Sequence, residues 1–373
     1  MPFCYSPWTN IDISPMGDIS PCCKFQTKGY KQKFNIQSSS VADYADSEFL
    51  NDVKQEFLDE KWPQGCERCR IEEENNIDSK RILDYTRWKN HYQSYELSEK
   101  KFITASLAFG NTCNLKCITC GPYSSSQWRK EYRDIYQVDI QHFKFYKENF
   151  VSDFVESAPD IIHIDIPGGE PFLSGITEQK QLLSYYIDTN QASNITLHYT
   201  TNATVYPDET WWELWRHFKE VDIQLSIDGV AERQEYIRYP SKWNDIVRNT
   251  QKYLNKVDFN IRLSVSHTVS AYNILYLDEF FSWCYNIGLP RPWLGRVHTP
   301  AYMRPSVWPE KVKKIIIEKL KTSTHTDCQL WANLLTCTDD SDAFEEFKNK
   351  LHAHDQYRGI DFKKTFTELA EFI

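Results

Sequence analysis

The sequence has no excess of positive charge, no long apolar run and no secretory signal. Its 43 Lys and Arg residues are outnumbered by 52 Asp and Glu residues, which gives a formal net charge of -9. Such a chain lacks the basic surface by which proteins hold duplex nucleic acid through its phosphates. No apolar stretch approaches the roughly 20 residues needed to span a bilayer, and residues 1–10 contain neither a basic nor an apolar signal segment. We therefore expect a cytoplasmic protein that binds neither membranes nor duplex nucleic acid.

Cysteine, by contrast, is frequent, with 11 residues in a chain of 373. Because the cytoplasm is reducing, these cysteines are not expected to form a disulfide framework. Eight of them fall into two groups along the sequence, namely Cys4, Cys22, Cys23, Cys66 and Cys69, and then Cys113, Cys117 and Cys120. Clustered cysteines in a cytosolic protein are typical of metal ligands. The chain also has ample material for a folded core, with 41% hydrophobic and 15% aromatic residues.

From residue 102 the sequence alternates between strand and helix patterns. The strand candidates are residues 102–110, 161–168, 195–202, 221–229, 260–268 and 292–298. Stretches with helical spacing of apolar residues lie between them. Six such units predict an α/β fold with parallel strands and right-handed crossovers, either an open barrel or a doubly wound sheet. In both cases the functional groups lie at the carboxyl ends of the strands.

The segments on either side of this pattern differ from it. Residues 8–23 alternate apolar and polar side chains around a turn at Gly17 and Asp18, which predicts a β-hairpin. Helical stretches follow, with a break just before Cys66, and the tail from Trp308 is helical throughout. These changes divide the chain into residues 1–100, 101–305 and 306–373.

A loop with three cysteines follows the first strand of the alternating region. Cys113, Cys117 and Cys120 have the spacing C-x3-C-x2-C, which places three thiolates close enough to bind three corners of one cubane. A [4Fe-4S] cluster normally takes four cysteines, so one iron would be left to chelate the amino and carboxylate groups of S-adenosylmethionine (SAM). Zinc is the alternative, but zinc sites usually pair CxxC with another CxxC or with histidines, and none is adjacent here.

The loop resembles the signature of the radical SAM superfamily, and further motifs follow in that family's order. The end of the second strand is similar to the family's GGEP element, whose residues here are Gly168, Gly169, Glu170 and Pro171. The resemblance implies that this element receives the ammonium group of SAM. Thr201 and Asn202 end the third strand and resemble the family's TNG stretch, with Ala203 in place of glycine.

A third motif ends the fourth strand. Ser226, Asp228 and Gly229 resemble the S-x-D-G element of peptide- and sugar-modifying members. The resemblance implies that Ser226, together with Arg238, contacts the carboxylate of SAM. Over roughly residues 102–300 it also implies a partial (β/α)6 TIM-like barrel.

The amino-terminal cysteines form a second candidate site. Cys4 precedes the predicted hairpin, Cys22 follows it, and Cys66 and Cys69 form a CxxC pair. Four thiolates suit either a fully ligated [4Fe-4S] cluster or a structural zinc ion. Cys23 points to the opposite face of its strand, so only one of the two adjacent cysteines ligates, and we favour Cys22. The pattern is similar to the twitch or SPASM-type auxiliary-cluster domains of the superfamily, here placed before the barrel.

The resemblance implies a radical SAM enzyme that uses SAM and two [4Fe-4S] clusters. An electron from a flavodoxin or ferredoxin cleaves SAM to methionine and a 5′-deoxyadenosyl radical, which takes a hydrogen atom from a peptide or small polar metabolite. The auxiliary cluster then assists an oxidation, a cross-link or an epimerisation. Radical modification of a nucleotide or nucleic-acid base, and a non-catalytic metal-binding interaction protein, remain open alternatives.

The sequence identifies no catalytic acid, base or hydrogen donor. His163, His198 and His267 lie on predicted strands and are expected to be core or barrel-lining residues. The stretch from Ser124 to Trp128 is expected to form the N-cap and first turn of the helix that follows the cysteine loop.

Overall fold

The computed structural model describes residues 2–75, 77–93, 95–97, 101–143, 145 and 148–373. Within them the β-strands are β1 Asn10–Ile13, β2 Asp18–Ser20, β3 Phe34–Asn35, β4 Thr104–Leu107, β5 His163–Ile166, β6 Thr196–Thr201, β7 Glu220–Ser226, β8 Ile261–Val269 and β9 Trp293–Arg296. The α-helices are α1 Ser6–Thr9, α2 Val41–Ala45, α3 Glu48–Leu58, α4 Glu67–Glu74, α5 Lys80–Tyr92, α6 Trp128–Tyr136, α7 Phe150–Ser157, α8 Ile176–Asp188, α9 Glu209–Trp215, α10 Glu232–Ile237, α11 Trp243–Leu254, α12 Leu277–Asn286, α13 Glu310–Thr322, α14 Thr326–Thr336, α15 Phe344–Arg358 and α16 Phe362–Thr365. Short 3-10 helices cover Gln64–Cys66, Ala192–Asn194, Ile274–Tyr276, Ala301–Met303, Pro305–Val307, Ser341–Ala343 and Thr367–Phe372.

The first of two compact units contains Met1–Thr112, His142–Tyr199 and Pro207–Val221. Its strands lie in the order β3-β2-β1-β4-β5-β6. The hairpin strands β1 and β2 pair in antiparallel fashion, and β2 pairs in the same way with β3. The strands β1, β4, β5 and β6 run parallel to one another. The amino-terminal hairpin therefore continues the parallel strands at their edge.

The parallel strands of this unit have one apolar and one polar face, because successive side chains along a strand point to opposite faces. The apolar face includes residues that are fully buried: Ile11, Ala105, Ile164 and Leu197. The next residue of each strand points the other way and is polar: Asp12, Ser106, Asp165 and His198. Paired in register, these four residues form one row across the strands.

The second unit contains Cys113–Gln141, Thr200–Tyr206 and Asp222–Ile373. Its strands lie in the order β7-β8-β9, and β8 and β9 are parallel. The carboxyl-terminal helices α13 to α16 share a hydrophobic core with residues 271–277. Trp308, Phe347 and Phe362 are completely buried there. The helical tail is therefore part of the core of this unit.

All six strands predicted in the alternating region are present, and so is the amino-terminal hairpin. These features confirm the predicted α/β class, with parallel strands and intervening helices as in a partial (β/α)6 TIM-like barrel. The two units do not follow the segments 1–100, 101–305 and 306–373, and Lys100 lies outside the described residues. The three-part division stays a prediction. No helix in the described part of the chain is long and apolar enough to cross a membrane.

Candidate active site

The three-cysteine loop lies in the second unit. Cys113 and Cys117 are buried, and Cys120 is partly buried beside them. Burial raises the pKa of the Cys117 thiol to about 12, with the charge of Cys120 adding to the rise. Burial also raises the pKa of Cys120 to about 11, and Cys113 is among its charged neighbours. Ionising Cys117 and Cys120 is therefore costly in the bare protein, and a positive iron–sulfur core would remove that cost by binding the thiolates.

Three successive carbonyl groups of this loop accept hydrogen bonds from outside it. Ser125 Oγ donates to the carbonyl of Leu115. Arg358 Nη2 donates to the carbonyl of Lys116 at 3.0 Å, and Trp128 Nε1 donates to that of Cys117 at 3.0 Å. These bonds fix the backbone that leads from the first cysteine of the motif to the second.

The serines after the loop have a different role from the one predicted. Helix α6 begins at Trp128, and its N-cap residue, Gln127, makes no side-chain capping bond. Ser126 Oγ instead accepts a hydrogen bond from the backbone N–H of Cys113 at 3.4 Å. With Ser125, it therefore holds the cysteine loop.

Asn202 lies against the same loop. Its Nδ2 donates to Asn114 Oδ1 at 3.0 Å and is 3.8 Å from Cys113 Sγ. Ala203, which replaces the glycine of the TNG stretch, has a φ of 61°. That left-handed conformation is one that glycine adopts most readily, so Ala203 occupies a position that suits glycine.

Asp228 and Arg238 form a buried ion pair, with Arg238 Nε 2.8 Å from Asp228 Oδ2. Asp228 Oδ1 also accepts the N–H of Thr268 at 2.7 Å. Burial lowers the pKa of Arg238, but the negative charge of Asp228 outweighs this effect and raises the pKa overall. Cys117 and Cys120 also contribute to the rise. Ser226 Oγ lies 3.2 Å from Ser266 Oγ. The structure thus joins Asp228 to Arg238 within the unit that holds the three cysteines.

The GGEP element lies in the first unit, directly after β5. A Cβ atom on Gly169 would lie 2.2 Å from the carbonyl oxygen of Thr112, so only glycine fits there. Gly168 has a φ of 143°, which also favours glycine. The N–H of Glu170 donates to that same carbonyl of Thr112 at 2.8 Å, and the Glu170 side chain is completely buried. The motif is therefore bonded to the residue that precedes Cys113 in the chain.

The four amino-terminal cysteines also belong to the first unit. Burial raises the pKa of Cys4 to about 11, with Cys69 adding to the rise. Burial likewise raises the pKa of Cys66, and Cys4 and Cys69 add to it. Burial raises the pKa of Cys22, which has Cys4 and Cys66 among its neighbours. The four thiols thus lie near one another although up to 65 residues separate them in sequence.

Specific contacts bring these distant segments together. The N–H of Gln26, just after Cys22, donates to the carbonyl of Gly65, just before Cys66, at 2.9 Å. Arg81 donates to the carbonyl of Phe3 at 2.8 Å and pairs with Glu73 on α4, the helix that carries Cys69.

Cys22 and Cys23 have different surroundings. Cys23 is exposed, and its charged neighbours are Lys80, Asp12, Asp84 and Asp165. Those of Cys22 include Cys4 and Cys66. Cys23 therefore lies near charged residues of the polar face of the strands, and the choice of Cys22 as the ligand stays a prediction.

That polar face holds the functional candidates that the sequence did not reveal. Ser106 stands between Asp12 and Asp165 in the row across the strands. Burial raises the pKa of Asp12 to about 6, although a hydrogen bond from Ser106 and the charge of Lys80 lower it. The row crosses β5 three residues before Gly168, so it lies near the carboxyl ends of the strands.

Asp165 joins two histidines on neighbouring strands. Its Oδ1 accepts hydrogen bonds from His163 Nε2 at 3.0 Å and from His198 Nδ1 at 2.9 Å. Partial burial opposes the charge of Asp165, but these two bonds outweigh it and hold its pKa far below the usual range. His163 is 1% exposed and packs on Trp88, whereas the His198 side chain is 20% exposed. His198 is therefore oriented by a carboxylate and accessible.

His267 is a core residue, as expected. It is 1% exposed, contacts Phe280 and bonds through Nδ1 to the carbonyl of Ile227 at 3.0 Å. Burial lowers its pKa to about 4, which keeps the ring neutral near pH 7.

Within the described residues, no three His, Cys, Asp or Glu side chains surround the position of a single metal ion.

Residues 4–70 match the SPASM family, an iron–sulfur cluster-binding domain. The match includes all four cysteines of the amino-terminal set and confirms the predicted auxiliary iron–sulfur domain. No curated protein matched the chain.

Three similar solved structures have low sequence identity. Native anSMEcpe with bound AdoMet is 17% identical over 58% of this chain and 58% of that chain, with a TM-score of 0.44. Streptococcus suis SuiB bound to S-adenosylmethionine is 11% identical over 78% and 62%, with a TM-score of 0.40. TYW1 with a lysine–pyruvate adduct is 12% identical over 60% and 72%, with a TM-score of 0.35. The chain spans less than two thirds of the length of the first two.

Proposed function

We propose that this chain is a radical SAM enzyme that removes a hydrogen atom from a peptide or a small polar metabolite. The observation that carries the proposal is the loop of Cys113, Cys117 and Cys120, with three neighbouring thiols, two of them buried, on a backbone fixed by three carbonyl hydrogen bonds. Such a loop suits a cluster that keeps one iron open for a second ligand.

Each of the two cysteine sets would hold one cluster. The three cysteines of the loop would hold the SAM-binding cluster, and Cys4, Cys22, Cys66 and Cys69 the auxiliary one. When bound, the first cluster and SAM would supply a 5′-deoxyadenosyl radical. The roles of Gly168, Gly169, Glu170, Pro171, Asn202 and Ser226 toward SAM stay predictions from the resemblance.

The ion pair gives Arg238 and Asp228 different proposed roles. Asp228 Oδ2 accepts a hydrogen bond from Arg238 Nε, and Asp228 Oδ1 accepts one from the N–H of Thr268. Asp228 would hold Arg238 in place and not contact SAM itself. Arg238 would place a positive charge near Cys117 and Cys120 and present its remaining guanidinium N–H groups to the carboxylate of SAM.

The polar face supports a substrate with hydroxyl or amino groups. Asp12, Ser106, Asp165 and His198 offer carboxylate, hydroxyl and imidazole groups side by side. His198 Nδ1 donates to Asp165, which orients the imidazole ring. His198 would take the proton that a substrate hydroxyl loses when its carbon is oxidised, and the remaining electron would pass to the oxidised auxiliary cluster. This face lies in the unit of the auxiliary cysteines, which favours an oxidation over an epimerisation.

The test is anaerobic reconstitution with iron and sulfide, then dithionite reduction with SAM and chromatography for 5′-deoxyadenosine. A panel of short peptides, aminocyclitols and sugars is added to look for stimulation. The proposal predicts two cubanes of iron per chain and formation of the nucleoside. Fully loaded protein that forms no nucleoside with any member of the panel would favour the metal-binding interaction protein.

A further inference from the structure

A buried ionic group joins the three-cysteine loop to the carboxyl-terminal helix α15. Glu131 on α6 is its centre and is completely buried. Its Oε1 accepts hydrogen bonds from His354 Nδ1 at 2.7 Å and from Arg358 Nε at 2.8 Å. Its Oε2 lies 2.7 Å from Lys116 Nζ, inside the cysteine loop. Two residues of α15 therefore meet the loop through one carboxylate.

The group carries more positive than negative charge. Burial opposes ionisation of Glu131, but the hydrogen bond from His354 and the charges of Arg358 and Lys116 outweigh it and lower its pKa to about 2. Glu131 thus supplies one negative charge against the two positive charges of Lys116 and Arg358. The nearby pair of Asp228 and Arg238 is neutral as a whole. Arg358 is completely buried and the Lys116 side chain is 18% exposed, and an excess of positive charge largely removed from water is unfavourable unless an anion balances it.

Arg358 is fixed in place by contacts on several sides. Its side chain is completely buried, and its guanidinium carbon lies 4.7 Å from the Trp128 ring centre and 5.3 Å from that of Tyr239. Nε and Nη2 donate to Glu131 and to the Lys116 carbonyl. Nη1, although buried, has no hydrogen-bond partner among the described residues.

The cysteine loop lies next to this charge. Arg358 and Arg238 are both among the charged groups that act on Cys117. A [4Fe-4S]2+ core with three thiolates has a net charge of about -1, and reduction by one electron makes it about -2. A fixed positive charge at low dielectric favours the more negative state. The residue that supplies it therefore affects how readily the cluster is reduced.

We propose that Arg358 of the carboxyl-terminal helix sets the reduction potential of the cluster held by Cys113, Cys117 and Cys120. Arg358 is a positioning residue, because it acts on the cluster and on the Lys116 backbone and not on the substrate. The proposal rests on the proposed function, since it needs a cluster on this loop. The electron itself comes from an external reductant, here dithionite.

The test is a potentiometric titration of the reconstituted full-length protein, followed by electron paramagnetic resonance. The triple variant Cys113→Ala, Cys117→Ala and Cys120→Ala gives the spectrum of the auxiliary cluster alone. In Arg358→Gln we expect the loop cluster to be harder to reduce, with a ratio of reduced to oxidised cluster at least about tenfold lower at a fixed potential. The auxiliary cluster should titrate as in the wild type and serves as the internal reference.

Two further variants separate charge from structure. Arg358→Lys loses the fork of hydrogen bonds but keeps the positive charge. Because the charge is kept, the loop cluster should titrate close to that of the wild type. Arg291→Gln removes an equal charge at an exposed ion pair with Asp327 and should change neither cluster.

An unchanged potential of the loop cluster in Arg358→Gln would overturn the proposal. So would Arg358→Lys behaving like Arg358→Gln, because the effect would then be structural. If Arg358→Gln fails to load the loop cluster, the reduction potential of the loop cluster in Arg358→Lys is compared with that of the wild type. A potential close to that of the wild type supports the proposal, and a shifted potential overturns it. Wild-type protein that loads only the auxiliary cluster would overturn the proposed function and this inference together.

Discussion

The two cysteine sets are built in opposite ways. The loop of Cys113, Cys117 and Cys120 places three thiols within eight residues of sequence, and distant residues then fix its backbone. The set of Cys4, Cys22, Cys66 and Cys69 comes from three separate segments that hydrogen bonds bring together. A local ligand set is visible in a sequence, whereas an assembled set depends on the fold around it. Loss of structure should therefore damage the amino-terminal set first.

The sharpest test of this comparison is removal of the loop. The triple variant Cys113→Ala, Cys117→Ala and Cys120→Ala should lose all SAM cleavage, because it lacks the loop cluster, whose open iron would bind SAM. About half of the iron should stay, held by the amino-terminal set. Iron analysis and 5′-deoxyadenosine formation measure the two effects. A variant without any iron would show that the two sets are not independent.

Cys22 and Cys23 provide a matched pair for the assembled set. Cys22→Ala should remove about half of the iron, because it leaves three ligands spread over separate segments. Cys23→Ala should keep the full iron content, since Cys23 is exposed and faces other charged groups. Iron content and visible absorbance check both variants. The reverse result would make Cys23 the ligand.

The polar face beside Cys23 gives a third test. Asp165→Asn should leave cleavage of SAM without substrate unchanged, because Asp165 lies outside both cysteine sets. Product formed from a substrate that stimulates the enzyme should fall by about 10²–10⁴-fold, because His198 loses the carboxylate that orients it. Arg291→Gln, which removes an exposed ion pair with Asp327 outside this face, is the control. Equal losses in the two variants would argue against a specific role for His198.

The smallest expected effect is a pH dependence of stability at Asp12. Its pKa is about 6 in the folded protein and about 3.9 when unfolded. In the folded state Asp12 therefore stays protonated up to a higher pH than in the unfolded state. Stability therefore decreases as pH rises from about 4 to about 6, by at most about 3 kcal/mol. Asp12→Asn should remove this decrease. Melting temperatures of both proteins at pH 4.5 and 7.5 would show it, and parallel curves would contradict it.

Much of the fold was predictable because its signals are local. The strands of the alternating region and the hairpin follow from side-chain periodicity, and the cysteine loop follows from spacing. Asp165 and His198 also alternate with apolar residues in HIDI and TLHYTT. Their juxtaposition needs the strand register, which periodicity alone does not give.

The contacts of the cysteine loop were the least predictable part of the site. Arg358 lies 242 residues after Lys116, whose carbonyl it binds, and nothing local marks either residue. Ser125 and Ser126 follow the loop directly and fit the composition of a helix cap, which led to the wrong expectation. Their hydroxyl groups bond to the loop because the chain folds back on it there.

The parallel pairing of β1 with β4 also affects how the protein is made. In the register, Asn10 pairs with Thr104, so a nascent chain must grow by 94 residues before the first strand finds its inner neighbour. At about 5–20 residues per second, that takes roughly 5–20 seconds on the ribosome. During this time the first two amino-terminal cysteines are already synthesised and exposed to oxidants and to free metal ions. Loading of the auxiliary cluster should therefore be a late step of biogenesis, and cells that expose the nascent chain to oxygen should yield protein deficient in this cluster before the other.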